Sequence, residues 1–168
     1  MSNRTYTILV LCTGNSARSI LAEALFNRLG NGKFKAYSAG SFPKGQVHPS
    51  ALELLTRFGF SIDGLRSKSW SEFSGENAPS IDFIFTVCDN AAGEVCPIWP
   101  GHPTTAHWGI EDPAASSTED SKRAFEKAYR ELEARIQAFC SLPLESLDKA
   151  TLKEKLDAIG RLPGHTAV

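Results

Sequence analysis

The chain of 168 residues has no apolar run approaching bilayer length, which excludes a membrane-spanning helix. The first residues, Met1 to Thr7, lack a charged stretch followed by a long apolar run, and Ile8 to Leu11 is too short for a signal peptide. There is no excess of charge of either sign: 18 Lys and Arg face 19 Asp and Glu, for a formal net charge of −1. No global field therefore favours nucleic acid or an anionic membrane, and any anion must be captured locally. Internal repeats and low-complexity tracts are absent. Cysteine is scarce, at 4 residues. Without an export signal these thiols are expected in the cytoplasm, reactive or buried rather than paired as staples.

What is present fits one globular domain, with 42% hydrophobic residues. Tyr6 to Leu11 is short, apolar and β-branched, as in a strand covered on both faces. After the turn Cys12-Thr13-Gly14-Asn15, residues Ile20, Leu21, Ala24, Leu25 and Leu29 recur at helical spacing, and Gly30 stands as a stop. Phe34 to Ala39 reads as a second strand. A helix follows, with Pro49 near its start and Ala51, Leu54, Leu55 and Phe58 on one face.

A short helix is expected around Trp70 to Phe73, then a third strand over Asp82 to Val87 and a fourth over Thr105 to Trp108. A long helix from about Glu119 to Leu142 carries Phe125, Tyr129, Leu132, Ile136 and Phe139 on one stripe. Beyond Pro143, Leu147, Leu152, Leu156 and Ile159 mark a last amphipathic segment, expected to pack on the same domain. The alternation predicts an α/β fold, a single-domain parallel four-stranded sheet flanked by helices, with an extra C-terminal helix. The expected division is a catalytic unit over 1–142 and a helical extension over 143–168. Ligands bind such sheets at the carboxyl ends of strands. Cys12, Cys88 and Asp112 each lie just past a predicted strand end.

The loop Cys12-Thr13-Gly14-Asn15-Ser16-Ala17-Arg18-Ser19 joins a buried strand to a helix. Small or flexible residues let successive N–H groups turn inward as an anion nest, and the helix adds the positive end of its dipole. Arg18 can close the cradle with a bidentate fork. Such surroundings are expected to lower the Cys12 thiol from its ordinary pKa of about 8.5. Ser19 can donate a hydrogen bond to that sulfur, and Asn15 tolerates a left-handed backbone. Cys-x-x-x-x-x-Arg alone would more often be a buried cysteine and a surface arginine. The strand before it, the helix after it, Gly14-Asn15 inside it and Ser19 behind the arginine favour the functional reading.

These residues resemble the low-molecular-weight tyrosine-phosphatase superfamily, whose loop reads Cys-x-Gly-Asn-x-x-Arg-Ser after the first strand. The resemblance covers about Tyr6 to Leu142. It implies Cys12 as nucleophile, an oxyanion cradle from Thr13 to Arg18, and an Asp-Pro general acid, the place of which is taken by Asp112-Pro113. The segment from Cys88 to Cys96, and the run His107-Trp108-Gly109-Ile110-Glu111-Asp112-Pro113-Ala114, resemble the arsenate reductases that share this fold. Ala114-Ala115 stands where phosphatases place aromatic residues, and Ile20 replaces the proline usual after Arg-Ser.

The resemblance implies attack of Cys12 on arsenate, which phosphate or sulfate can mimic. Asp112 would protonate the departing hydroxyl, and Cys88 would attack Cys12 to release arsenite. Cys96 would then resolve the disulfide. No bound cofactor is expected; the external reductant would be thioredoxin, or glutathione with glutaredoxin. Ala17 stands where many relatives carry a cysteine, which bears on the electron donor. A tyrosine phosphatase with a phosphocysteine intermediate is the alternative, and a phosphocarrier or anion-sensing module a remoter one.

Cys140 reads as a packing residue, and His48 and His165 as solvated or capping residues. A metal site from Cys88, Cys96, His102 and His107 lacks Cys-x-x-Cys spacing and is not assigned. The resemblance also raises a structural potassium ion near Asn15, Glu23 and Ser38, with Ser69 where an acidic ligand would be expected.

Overall fold

The computed structural model describes residues 5–74, 78–88, 103–113 and 118–162. Four strands, β1 (Tyr6–Leu11), β2 (Phe34–Ala39), β3 (Phe83–Thr86) and β4 (Thr104–His107), pair in parallel in the order β2-β1-β3-β4. The helices are α1 (Arg18–Leu29), α2 (Pro49–Arg57), α3 (Thr118–Cys140) and α4 (Lys149–Gly160), with a 3-10 turn at Trp70–Phe73. The first two strands keep their expected bounds. The third is shorter than expected at both ends, although the Asp82 N–H still donates to the Thr7 carbonyl at 2.9 Å and the Val87 N–H to the Leu11 carbonyl at 3.0 Å. The fourth starts one residue early and stops at His107, although the Trp108 N–H still reaches the Thr86 carbonyl at 2.7 Å.

Side chains alternate across the sheet, as the pleat requires. Ile8, Val10, Phe83 and Phe85 enter the larger core, joined by apolar residues from all four helices. Leu9, Leu11, Ala39 and Ile84 enter a smaller one closed by Phe73 and Ile81. The larger core centres on aromatic rings: Phe85 lies 4.0 Å from Trp108 and 5.4 Å from Phe26, centroid to centroid. Each such side chain, fully buried, contributes about 1.5–3 kcal/mol.

The last helix belongs to this core. Leu152, Leu156 and Ile159 are buried in it, Trp108 donates its indole N–H to the Leu156 carbonyl at 2.9 Å, and Lys153 donates to the Thr105 carbonyl. Arg135 of α3 is fully buried and donates to the carbonyls of Trp108 and Gly109, both at 3.1 Å, and of Leu162 at 3.4 Å. It pins the segment after β4 from behind. No helix among the described residues is long and apolar enough to cross a membrane.

The strand order places the site. The chain leaves β1 toward β2 on one side and crosses back to β3 on the other, so the ends of β1 and β3 flank a topological switch point, where open α/β sheets bind ligands. Leu11 pairs with Thr86 and Thr86 with His107, so the strands end flush and release Cys12, Cys88 and the Asp112 loop at one edge.

Candidate active site

The loop between β1 and α1 is shaped by a strap that runs along its back. The carbonyls of Thr13, Gly14 and Ser16 turn outward to accept from the N–H groups of Phe42, Lys44 and His48 at 3.0, 3.0 and 2.8 Å. A trans peptide points its C=O and N–H in opposite directions, so the N–H groups of Gly14 and Ala17 turn inward. The Asn15 N–H instead donates to the Cys12 carbonyl at 3.3 Å. Ala17, the N-cap of α1, makes no side-chain capping bond, which leaves the first turn of the helix for an anion.

Asn15 has a φ of 44°, a left-handed conformation that asparagine tolerates better than most side chains. Fully buried, it donates to Ser19 Oγ at 2.8 Å and Ser38 Oγ at 2.9 Å, and accepts from the N–H of Lys68 at 2.8 Å. Ser19 is thus held behind the loop rather than on the pocket wall. Gly40 packs so closely that a Cβ there would collide with the carbonyl oxygens of Thr13 and Cys12.

A pocket of 230 Å³ opens on this loop, lined by residues 12–18 together with Phe42, Lys44, Cys88 and Asp112. Sequence reasoning brought together Cys12, Arg18, Cys88 and Asp112, and all four meet here. Arg18 donates to the Ile110 carbonyl at 3.0 Å and approaches the Asp112 carboxylate at 3.8 Å, so it links the cradle to the loop after β4. Phe42, 75% exposed, and Lys44 were missed. Their position in a Pro/Gly-punctuated loop directly after β2, on the same edge of the sheet, was the available signal.

Cys12 and Cys88 are both buried and both thiols. Both line the pocket, and the N–H of Thr13 donates to the Cys88 sulfur at 3.4 Å. The thiolate expected from the loop motif is therefore not what the pocket alone favours. The Cys12 thiol is held above its ordinary value, first by the hydrogen bond with Cys88 and then by burial, with the Cys88 and Asp112 charges adding to it. Arg18 pulls the other way. The reason is the neighbour: two thiols facing each other resist losing both protons, a coupling that the loop sequence does not display.

Cys96, His102, Ala114 and Ala115 lie outside the described residues. Cys140 is half-buried against the larger core, and burial pushes its thiol up, consistent with a packing role. His48 caps α2, its ring Nδ1 accepting from the Ser50 N–H at 3.0 Å, and lies 4.9 Å from the Phe125 ring. His107 shares a hydrogen bond with Thr86 Oγ1 at 2.7 Å.

A parallel sheet with a cysteine-arginine anion loop at its switch point and an Asp-Pro opposite defines a class, and the family comparison agrees. The model for the low molecular weight phosphotyrosine protein phosphatase family matches residues 7–156, and the chain belongs to that family. Within it, the arsenate reductase of Bacillus subtilis is 37% identical over 134 residues, spanning 79% of this chain and 93% of that protein. Among solved structures, the arsenate reductase from Archaeoglobus fulgidus superposes with a TM-score of 0.62 at 28% identity, covering 80% of this chain and 99% of that one. The thioredoxin-dependent arsenate reductase of Corynebacterium glutamicum gives a TM-score of 0.55 at 25% identity, covering 82% of this chain and 64% of that one.

Proposed function

We propose that this chain reduces arsenate to arsenite, and the observation that carries the reading is the pair of thiols, Cys12 and Cys88, lining one anion pocket. A phosphatase of this fold needs a single nucleophilic sulfur. A reductase needs a second sulfur within reach of the first, because two electrons must be delivered to arsenic. The named relatives support the same substrate.

Arsenate is held by the inward N–H groups of the loop, the Arg18 guanidinium and the start of α1. Cys12 gives up its proton and its sulfur attacks arsenic. The Cys12 proton passes to an arsenate oxygen, and the protonated carboxyl of Asp112, at the pocket wall, donates a second proton to that departing hydroxyl, which leaves as water. Cys88 then attacks the Cys12 sulfur. The S–S bond forms as the S–As bond breaks, and the pair of electrons in that bond stays on arsenic, which leaves as arsenite. Two thiols are oxidised to one disulfide while arsenic goes from the +5 to the +3 state. Cys96 is assigned the next step, taking Cys88 into a Cys88–Cys96 disulfide and freeing Cys12. Thioredoxin is the favoured reductant, on the likeness to the Corynebacterium protein, with glutathione and glutaredoxin the other donor pair.

One observation favours phosphatase activity as a second reading: Phe42 stands exposed at the pocket rim, where an aromatic wall can flank a phenyl ring. The deciding experiment measures arsenite formation and aryl phosphate hydrolysis by the wild type, Cys88→Ser and Cys96→Ser, each with thioredoxin, with glutathione plus glutaredoxin, and with neither. Arsenite formation that depends on Cys88, beside hydrolysis that does not, is the expected result. Undiminished arsenite formation by Cys88→Ser removes the two-thiol mechanism, and normal thioredoxin-supported turnover by Cys96→Ser removes the outward transfer.

A further inference from the structure

Beneath the anion loop lies a buried ion pair that the chemistry above does not use. Lys68, 6% exposed, places its ammonium 3.7 Å from Glu23 Oε1 and donates to the Arg66 carbonyl at 3.0 Å. The same Glu23 oxygen accepts from Ser38 Oγ at 2.5 Å. Ser38 in turn accepts from Asn15, the residue that holds the loop's left-handed turn. The Lys68 backbone completes the attachment: its N–H donates to Asn15 Oδ1 at 2.8 Å and its carbonyl accepts from the Gly40 N–H at 3.0 Å. Ser67 adds a bond from Oγ to the Gly14 carbonyl at 3.2 Å.

The potassium ion that the family resemblance implies beside Asn15, Glu23 and Ser38 does not fit these residues. The position already holds a positive charge, and a second cation against Glu23 would meet the Lys68 ammonium. The Asn15 amide turns its nitrogen, not its oxygen, toward Ser38. Ser69 caps the 3-10 turn instead, accepting from the Ser71 N–H at 3.2 Å. Burial pushes the Glu23 carboxyl up and the Lys68 ammonium down, and each partner's charge opposes that trend in the other. The other charged groups acting here are Arg66 and Glu72, which pair with each other at the surface.

We propose that Lys68 is a positioning residue whose ammonium is the resident cation of the anion loop, neutralising Glu23 so that the Ser38–Asn15–Ser19 chain holds the cradle without any added metal ion. A carboxylate left alone in this position would have to be compensated from outside, because an unpaired buried charge is far more costly than a paired one. The loop's cation is then covalently attached rather than drawn from dissolved salt. The proposal rests on the pocket being an oxyanion cradle and not on the redox steps.

Phosphate binding by the reduced, full-length protein tests it, read by titration and by the upward shift of the thermal midpoint that phosphate gives. Potassium chloride is compared with choline chloride at equal concentration. The wild type should bind equally in both. Lys68→Ala should bind about tenfold more weakly in choline chloride and recover in potassium chloride, which can enter the vacated space. The double variant Glu23→Gln/Lys68→Met, which removes both charges, should fold and bind phosphate within a few-fold of the wild type in either salt.

A potassium-specific shift in the wild type overturns the proposal, as does Lys68→Ala binding like the wild type in both salts. If the single variant does not fold, a double variant that folds but has lost phosphate binding overturns it equally. Arsenite formation is not the readout, so failure here leaves the reductase reading intact. A wild type that binds no phosphate refutes the cradle itself.

Discussion

The backbone N–H of Thr13 donates to the Cys88 sulfur at 3.4 Å, although 75 positions separate the two residues. Parallel strands β1 and β3 end flush, so the first amide of the anion loop and the second thiol meet at the switch point of the sheet. The Thr13 amide is thereby engaged by the Cys88 sulfur rather than turned into the pocket.

Removing the second thiol changes the first. Cys88→Ala takes away the largest influence that holds the Cys12 thiol up, leaving burial to raise it and Arg18 to oppose that rise. The Cys12 thiolate should then form at a pH lower by on the order of one unit or more. Thiolate ultraviolet absorbance and the pH profile of alkylation, each compared with Cys12→Ser, measure this. An unchanged profile means the two sulfurs do not interact as described.

Gly40→Ala should damage the loop without touching a catalytic side chain. The added methyl group would meet the Thr13 and Cys12 carbonyl oxygens, which are backbone and cannot swing aside. Forced displacement of this kind costs about 1–3 kcal/mol in a packed interior. Phosphate affinity should fall together with stability, measured by titration and by urea unfolding. Affinity equal to wild type would show that the strap at 40–48 does not shape the cradle.

Much of this site was legible because strand ends are marked by local composition. Tyr6 to Leu11 and Phe34 to Ala39 are strands in the bounds that β-branched and apolar patterning predicts, and Cys12, Cys88 and Asp112 follow strand ends as expected. What was not legible depends on contacts between distant segments. Lys68 reads as an ordinary charge in a polar stretch, and only the packing of Gly40 and Asn15 against it makes it a buried cation. The upward pull on the Cys12 thiol was not legible for the same reason: the loop sequence displays dipoles and Arg18, whereas the thiol across from it follows β3.

Arg135 offers a stability test with a built-in contrast. Its fully buried guanidinium serves the carbonyls of Trp108, Gly109 and Leu162, and burial pulls its pKa down. Arg135→Leu would orphan those carbonyls, two of them buried, at about 1–3 kcal/mol each less the gain from added apolar packing, for a net loss of about 2–4 kcal/mol. Exposed Lys127 pairs with Glu111 at 3.6 Å and Glu131 at 3.7 Å, and Lys127→Ala should cost about 1 kcal/mol or less. Urea midpoints of both variants measure the difference. Equal midpoints would remove Arg135 as the anchor of the segment that carries Asp112.

The raised Cys12 thiol also sets an alkaline limit. In the folded chain the proton is held above the ordinary cysteine value, so over that range the native state binds more protons than the unfolded one. Stability depends on pH as the unfolded minus the native proton count, so the slope is negative: the contribution is whole below the ordinary cysteine value and is lost as pH rises toward the raised one. One proton corresponds to about 1.4 kcal/mol per pH unit. Cys140 is raised by burial and adds in the same direction. Lysines and tyrosines titrate nearby, so the informative quantity is the difference between wild type and Cys12→Ser in urea unfolding from neutral pH upward. The wild type should lose ground steadily against the variant above the cysteine range, and parallel curves would show that the native pocket does not hold that proton.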